Sequence, residues 1–108
     1  RAAIARERIV VDPGMGFFLG TDPEVSLTVL RRLGELKARY RLPVLISLSR
    51  KSFVRRLANV GIAEAGAASL AAELYAAGQG ADILRTHDVR ALKQALAVWS
   101  ALPGGRQP

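Results

Sequence analysis

The chain contains no cysteine, which excludes disulfides and thiolate metal sites and removes any need for an oxidising compartment. Aromatic residues make up only 6% of it. With no recognisable binding motif and no long basic run, that scarcity argues against nucleic acid as a partner. No apolar run is long enough to cross a bilayer, and the stretch from Arg1 to Arg8 lacks the apolar centre of a signal peptide. The expectation is a cytoplasmic protein with no membrane association. Acidic residues are also few: 16 Lys and Arg face 9 Asp and Glu, a net charge of +7. That excess is either a generally basic surface or a sign of an anionic partner.

What is present is apolar. Half of the 108 residues are hydrophobic, enough for one small core and one domain. The chain opens on Arg1 rather than Met, and its first residues read as the end of a helix. The expectation is therefore the back end of something longer.

Ile9-Val10-Val11 reads as a short buried strand stopped by Asp12-Pro13-Gly14. An apolar, Gly-rich loop follows, in which Phe17 and Phe18 either wall a ligand or pack beneath the loop. Thr21 or Asp22 caps a helix, Pro23 suits its first turn, and Glu24 completes a capping box with Thr21. Val29, Leu30, Leu33, Leu36 and Tyr40 carry one helical stripe to Arg41-Leu42-Pro43. Val44 to Leu48 is a continuous apolar run, as in a parallel strand covered on both faces. A short helix from Phe53 breaks near Asn59-Val60-Gly61. An Ala-rich helix then spans roughly 63–77, with Leu70, Leu74 and Tyr75 as its larger apolar groups. Gly78-Gln79-Gly80 closes it, Ala81 to Thr86 is a third strand, and Asp88 caps a last helix striped by Val89, Leu92, Leu96, Trp99 and Leu102. Residues 103–108 read as a frayed tail. The order is β-α-β-α-α-β-α, an α/β chain of right-handed parallel crossovers.

In such folds ligands bind at the C-terminal strand ends, where the polar residues collect. The central one is Ser49-Arg50-Lys51-Ser52, a cationic turn between strand and helix suited to an anion. Asp12 is an acceptor for ligand N–H groups, a loop-capping carboxylate, or a metal ligand with no nearby partner. Lys51 is a point charge able to reach a carbonyl or phosphate. Ser52 either binds a carboxylate or phosphate at the helix start or is an ordinary N-cap. Arg85 and His87 lie two apart, so an extended strand points both the same way. Such a pair suits a diphosphate.

Together, Asp12-Pro13-Gly14-Met15-Gly16-Phe17, Ser49-Arg50-Lys51-Ser52-Phe53 and Ile83-Leu84-Arg85-Thr86-His87-Asp88-Val89 resemble three ordered signatures of the dihydropteroate synthases. Phe18-Leu19-Gly20 and the Ser69–Leu74 stretch resemble the sulfonamide-resistant branch. The resemblance covers nearly the whole chain, from about Ile9 to Leu102. It implies a TIM (β/α)8 barrel of which residues 1–108 are the C-terminal three βα units, a partial pterin-binding domain.

It also implies that p-aminobenzoate displaces diphosphate from a dihydropterin methyl diphosphate, giving dihydropteroate for folate biosynthesis. By motif position, Asp12 would accept hydrogen bonds from the pterin. Lys51 would contact the pterin and border the aminobenzoate pocket. Phe17 and Ser52 would hold the aminobenzoate ring and carboxylate. Arg85 would stack near the pterin and, with His87, bind the diphosphate. Lys51, Arg85 and His87 would thus be the catalytic residues. Mg²⁺ would accompany the diphosphate through a ligand on earlier strands, with none in this stretch. Sulfonamides would compete for the aminobenzoate site, and the enzyme would be a homodimer, with Leu30/Leu33 and Leu96/Trp99 partly at its interface.

The chain departs from the family pattern at Phe18-Leu19 and Val54-Arg55-Arg56, outside these contacts. A three-strand arc has open edges, so the 108 residues alone are expected to be unstable or to associate, and not to turn over. Two other readings fit less of the pattern. A methyltetrahydrofolate-dependent methyltransferase has no use for a diphosphate site. A non-catalytic remnant or basic binding module stays open, and nucleic-acid affinity with a steep salt slope would mark it.

Overall fold

A computed structural model describes residues 4–15 and 22–102. Phe17, Phe18, Thr21 and the 103–108 tail lie outside the described residues. Two parallel strands form the sheet: β1 (Leu45–Ser47) and β2 (Ile83–Arg85), with Leu45 opposite Ile83, Ile46 opposite Leu84 and Ser47 opposite Arg85. On the other side of β1, Val11 forms a single parallel bridge with Val44. It does so through Val11 N–H to the Pro43 carbonyl (2.8 Å) and Leu45 N–H to the Val11 carbonyl (2.8 Å). The expected strand over residues 9–11 thus narrows to one paired residue, because it lies at an edge and Val10 is exposed. The spatial order is Val11, β1, β2, with all three running the same way.

Among the described residues five α-helices accompany the sheet: α1 (Pro23–Arg31), α2 (Leu33–Tyr40), α3 (Ser52–Ala58), α4 (Gly66–Gly78) and α5 (Val89–Ala101). Arg6–Arg8 forms only a 3₁₀ turn where a helix end was expected. The single helix expected up to Tyr40 is two. At Arg32 the ladder tightens, with Glu35 N–H reaching the Arg32 carbonyl (3.0 Å), as in a 3₁₀ step. The Arg32 guanidinium holds both oxygens of Glu35 across this joint, at 2.9 and 2.8 Å. Asp22 caps α1 by accepting from Glu24 N–H (3.0 Å). The Glu24 carboxylate pairs with Arg31 at 2.7 Å, one face along the same helix.

The core lies between the sheet and α1–α4. It is built on Met15, Leu30, Leu33, Val44, Ile46, Leu48, Phe53, Val54 and Ala76. Leu30 and Leu33 are therefore core within this chain, while Leu96 and Trp99 are half-buried. In α4 the buried residues are Ser69, Glu73 and Ala76. The larger apolar groups Leu70 and Leu74 are half-buried, and Tyr75 is exposed.

The start of β2 is fastened from two sides. The Asp82 carboxylate accepts from Val44 N–H (2.9 Å) and from Lys37 Nζ (3.1 Å). Lys37 also donates to the Gly80 carbonyl (2.8 Å). Gly80 sits at φ +105°, a conformation that favours glycine, and a Cβ there would also stand 3.3 Å from Lys37 Cδ.

Asp88 caps α5 as expected, accepting from Ala91 N–H at 3.0 Å. Asp88→Ala is expected to lower stability by about 1 kcal/mol, the usual worth of such a cap, read as a shift in the denaturant midpoint with unchanged slope.

Candidate functional site

The C-terminal ends of β1 and β2 open on one cleft of about 740 Å³, lined by Ser47, Ser49, Arg50, Lys51, Arg85 and His87. The parallel register creates it. Ser47 and Arg85 are partners, so the turns that follow the two strands emerge side by side. Arg50 takes a left-handed conformation (φ 61°), which swings the chain from strand to helix. Its N–H is held by Ser69 Oγ of α4 at 2.9 Å. Lys51 then occupies the N-cap of α3 in an extended conformation and makes no side-chain cap bond.

This corrects one alternative for Ser52. It is the first residue of α3, not its N-cap, because the left-handed turn falls at Arg50 and places the cap at Lys51. Ser52 is exposed and is not among the residues lining the cleft.

Across the cleft, the exposed Arg85 and His87 both line it, Arg85 as the last residue of β2 and His87 in the turn beyond the strand. Ser49, which is buried, ties the two turns together. Its Oγ accepts the backbone N–H of His87 (3.3 Å) and lies 3.0 Å from the ring Nδ1. The hydroxyl can either give its proton to Nδ1 or accept a second bond from an Nδ1–H, according to the imidazole tautomer.

Asp12 behaves differently. Its Oδ1 accepts from Gly14 N–H at 2.9 Å, the loop-capping role, with Gly14 at φ 71°. It is exposed and does not line the cleft formed by the other residues. Among the described residues no group of three His, Cys, Asp or Glu is placed to hold a metal, and no helix is long and apolar enough to cross a membrane.

Sequence reasoning missed Ser69 and Glu73, because an Ala-rich helix was read by its large apolar groups. Glu73 is 2% exposed. It adjoins a second cavity of about 670 Å³ that shares Ser49, Thr86 and His87 with the cleft. Burial pushes its carboxyl up from the ordinary 4.5; the Thr86 hydrogen bond opposes this and the Asp88 charge adds to it. The folded state thus holds this proton more tightly than the unfolded one, so stability falls as pH rises from 4.5 towards the raised value. Glu73→Gln is expected to remove that decline. Unfolding free energies measured from about pH 4 to about pH 8 should diverge between the two proteins, with the variant gaining at the alkaline end. Parallel curves would contradict it.

The family model described as pterin binding enzyme matches residues 1–87. The chain belongs to the pterin-binding enzyme family. It is 59% identical over 101 residues to the type-2 dihydropteroate synthase of Escherichia coli, covering 94% of this chain and 37% of that one. The fold matches a Yersinia pestis dihydropteroate synthase solved with a pterine–sulfa conjugate at TM-score 0.82 and 38% identity, covering 89% of this chain and 36% of the other. It also matches the Thermus thermophilus enzyme solved with 4-aminobenzoate at TM-score 0.78 and 46% identity, covering 86% and 37%. The chain therefore spans little more than a third of the pterin-binding enzymes it resembles.

Proposed function

We propose that this chain is the C-terminal part of a dihydropteroate synthase, comprising the last three βα units of its (β/α)8 barrel. The observation that carries the reading is the gathering of Arg50, Lys51, Arg85 and His87 on one cleft at two adjacent strand ends. The reaction forms a C–N bond between the p-aminobenzoate amine and the pterin methylene and breaks the C–O bond to diphosphate. Negative charge develops on the departing oxygens, and fixed donors aimed there lower the barrier. Arg85 and the His87 ring serve that charge. Lys51 reaches the pterin and the edge of the aminobenzoate pocket.

Asp12 supplies the acceptor for pterin N–H groups with the oxygen that Gly14 does not use. Ser52 presents its hydroxyl and the start of α3 to the aminobenzoate carboxylate, and Phe17 packs on the ring. The neutral aromatic amine is already a nucleophile and needs no strong base. The described residues do not suit Mg²⁺, since Asp12 is a lone carboxylate already engaged with Gly14. The ion that accompanies the diphosphate takes its protein ligand elsewhere. Sulfonamides occupy the aminobenzoate position, and the active form is a cytoplasmic homodimer.

The test is product formation by the full-length protein that carries this segment, given dihydropterin diphosphate, p-aminobenzoate and Mg²⁺. Dihydropteroate is expected. A folded protein that binds pterin and forms none would overturn the reading.

A further inference from the structure

Helix α4 buries a carboxyl in the middle of an Ala-rich, otherwise apolar stretch. Glu73 is 2% exposed, its neighbours along the chain are Ala71, Ala72, Leu74 and Ala76, and Oε2 has no hydrogen-bond partner among the described residues. An apolar side chain there would avoid the desolvation penalty. A locally unfavourable group kept in a core, beside a functional cleft, is where a role is to be sought.

The contacts around it close a ring. One turn before Glu73 on the same face, Ser69 holds Arg50 N–H at 2.9 Å. Glu73 and Thr86 line the same cavity, where the Thr86 hydroxyl pulls the Glu73 carboxyl down against the upward push of burial. Thr86 Oγ1 in turn accepts Asp88 N–H at 3.3 Å. Next to Thr86, His87 returns to Ser49 by its backbone and its ring, at 3.3 and 3.0 Å. Two turns, 49–51 and 85–88, are thus held by two buried polar groups of one rigid helix.

We propose that Glu73 is a positioning residue: through Thr86 it fixes the 85–88 turn against the 49–51 turn and so sets where His87 stands in the cleft. The consequence for diphosphate rests on the function proposed above; the placing of His87 does not.

The experiment uses the full-length protein, with Glu73→Leu, Glu73→Gln and Thr86→Val. The His87 ring nitrogens are followed by ¹⁵N NMR, identified by their loss in His87→Gln, beside binding of inorganic diphosphate. Glu73→Leu is expected to shift both ring signals and to weaken diphosphate about tenfold, while Glu73→Gln, which can still pair with Thr86, stays within about twofold. Thr86→Val should reproduce the leucine effect, and the double variant should be no worse than either single one, the mark of a shared interaction. A folded Glu73→Leu with unmoved His87 signals and unchanged diphosphate affinity overturns the proposal. If Glu73→Leu does not fold, Thr86→Val decides: moved signals support the proposal and unmoved ones overturn it. Should the parent bind no diphosphate at all, the functional reading fails, and the ring signals still settle the positioning role.

Discussion

Lys51→Ala in the full-length protein is expected, on the function proposed above, to lower kcat for dihydropteroate formation by about 10²–10³-fold, the size of effect that follows removal of one preorganised polar group at a reacting centre. The substitution isolates chemistry from folding for a local reason. At the N-cap of α3 the Lys51 side chain makes no capping bond. What holds the turn is its backbone, with N–H to the Leu48 carbonyl (3.1 Å) and its carbonyl accepting Arg55 N–H (3.1 Å). Alanine keeps both. The melting temperature should therefore hold while turnover collapses. Lys51→Arg should restore part of the rate, since the charge returns but its shape and reach differ. Steady-state kinetics with each substrate varied, beside a thermal melt, measures this. An unchanged kcat would make Lys51 a solvated surface charge and remove the central member of the cleft.

The second large effect is on stability. Phe53→Ala is expected to destabilise the protein by about 3–5 kcal/mol, the transfer free energy of the ring plus the cavity it leaves. That approaches the whole stability of many domains. Phe53 is 2% exposed and among the largest fully buried side chains described, and it belongs to the same core cluster as Leu30, Val54 and Leu48. It also follows Ser52 directly, so it is the anchor that pins the start of α3 beneath the cationic turn. A denaturant titration should show a lower midpoint. In protein that remains folded, a rise in KM for p-aminobenzoate should accompany it. A loss below about 1 kcal/mol would mean that the neighbouring side chains close the cavity.

The two substitutions are one residue apart from Ser52 on either side, yet one acts on rate and the other on folding. The reason is visible in the alternation at the strand-to-helix turn. Lys51 is the last residue outside the helix and lies in the cleft. Phe53 is the second residue inside it and faces the core.

Much of this was legible in the residues. The apolar run from Val44 to Leu48, the stops at Pro13 and Pro43, and the caps at Asp22 and Asp88 depend only on near neighbours, and periodicity and capping chemistry report near neighbours well. The placing of Arg85 and His87 at the end of the third strand was legible too, although β2 stops at Arg85 and His87 lies in the turn beyond it. The clustering of cations after β1 was likewise plain from order in the chain.

What the residues in order could not give was anything that depends on which two distant segments meet. Ser49 reaches His87 only because β1 and β2 pair with Ser47 opposite Arg85; a slip of one residue would turn it to the other face. The edge position of Val11 shortened its strand to a single bridge, and tightening at Arg32 divided one helix into two. In α4 the pattern of large apolar groups pointed to Leu70, Leu74 and Tyr75, whereas packing buried Ser69 and Glu73, since the face a nearly uniform Ala helix turns inward is chosen by its neighbours and not by its own moment. The sequence by itself determined the approximate elements, the parallel run of the strands and which polar residues follow them. The tertiary structure alone decided the register that brings Ser49 to His87 and the burial that makes Glu73 a strut, because hydrogen bonds across tens of residues exist only once the strands have been aligned.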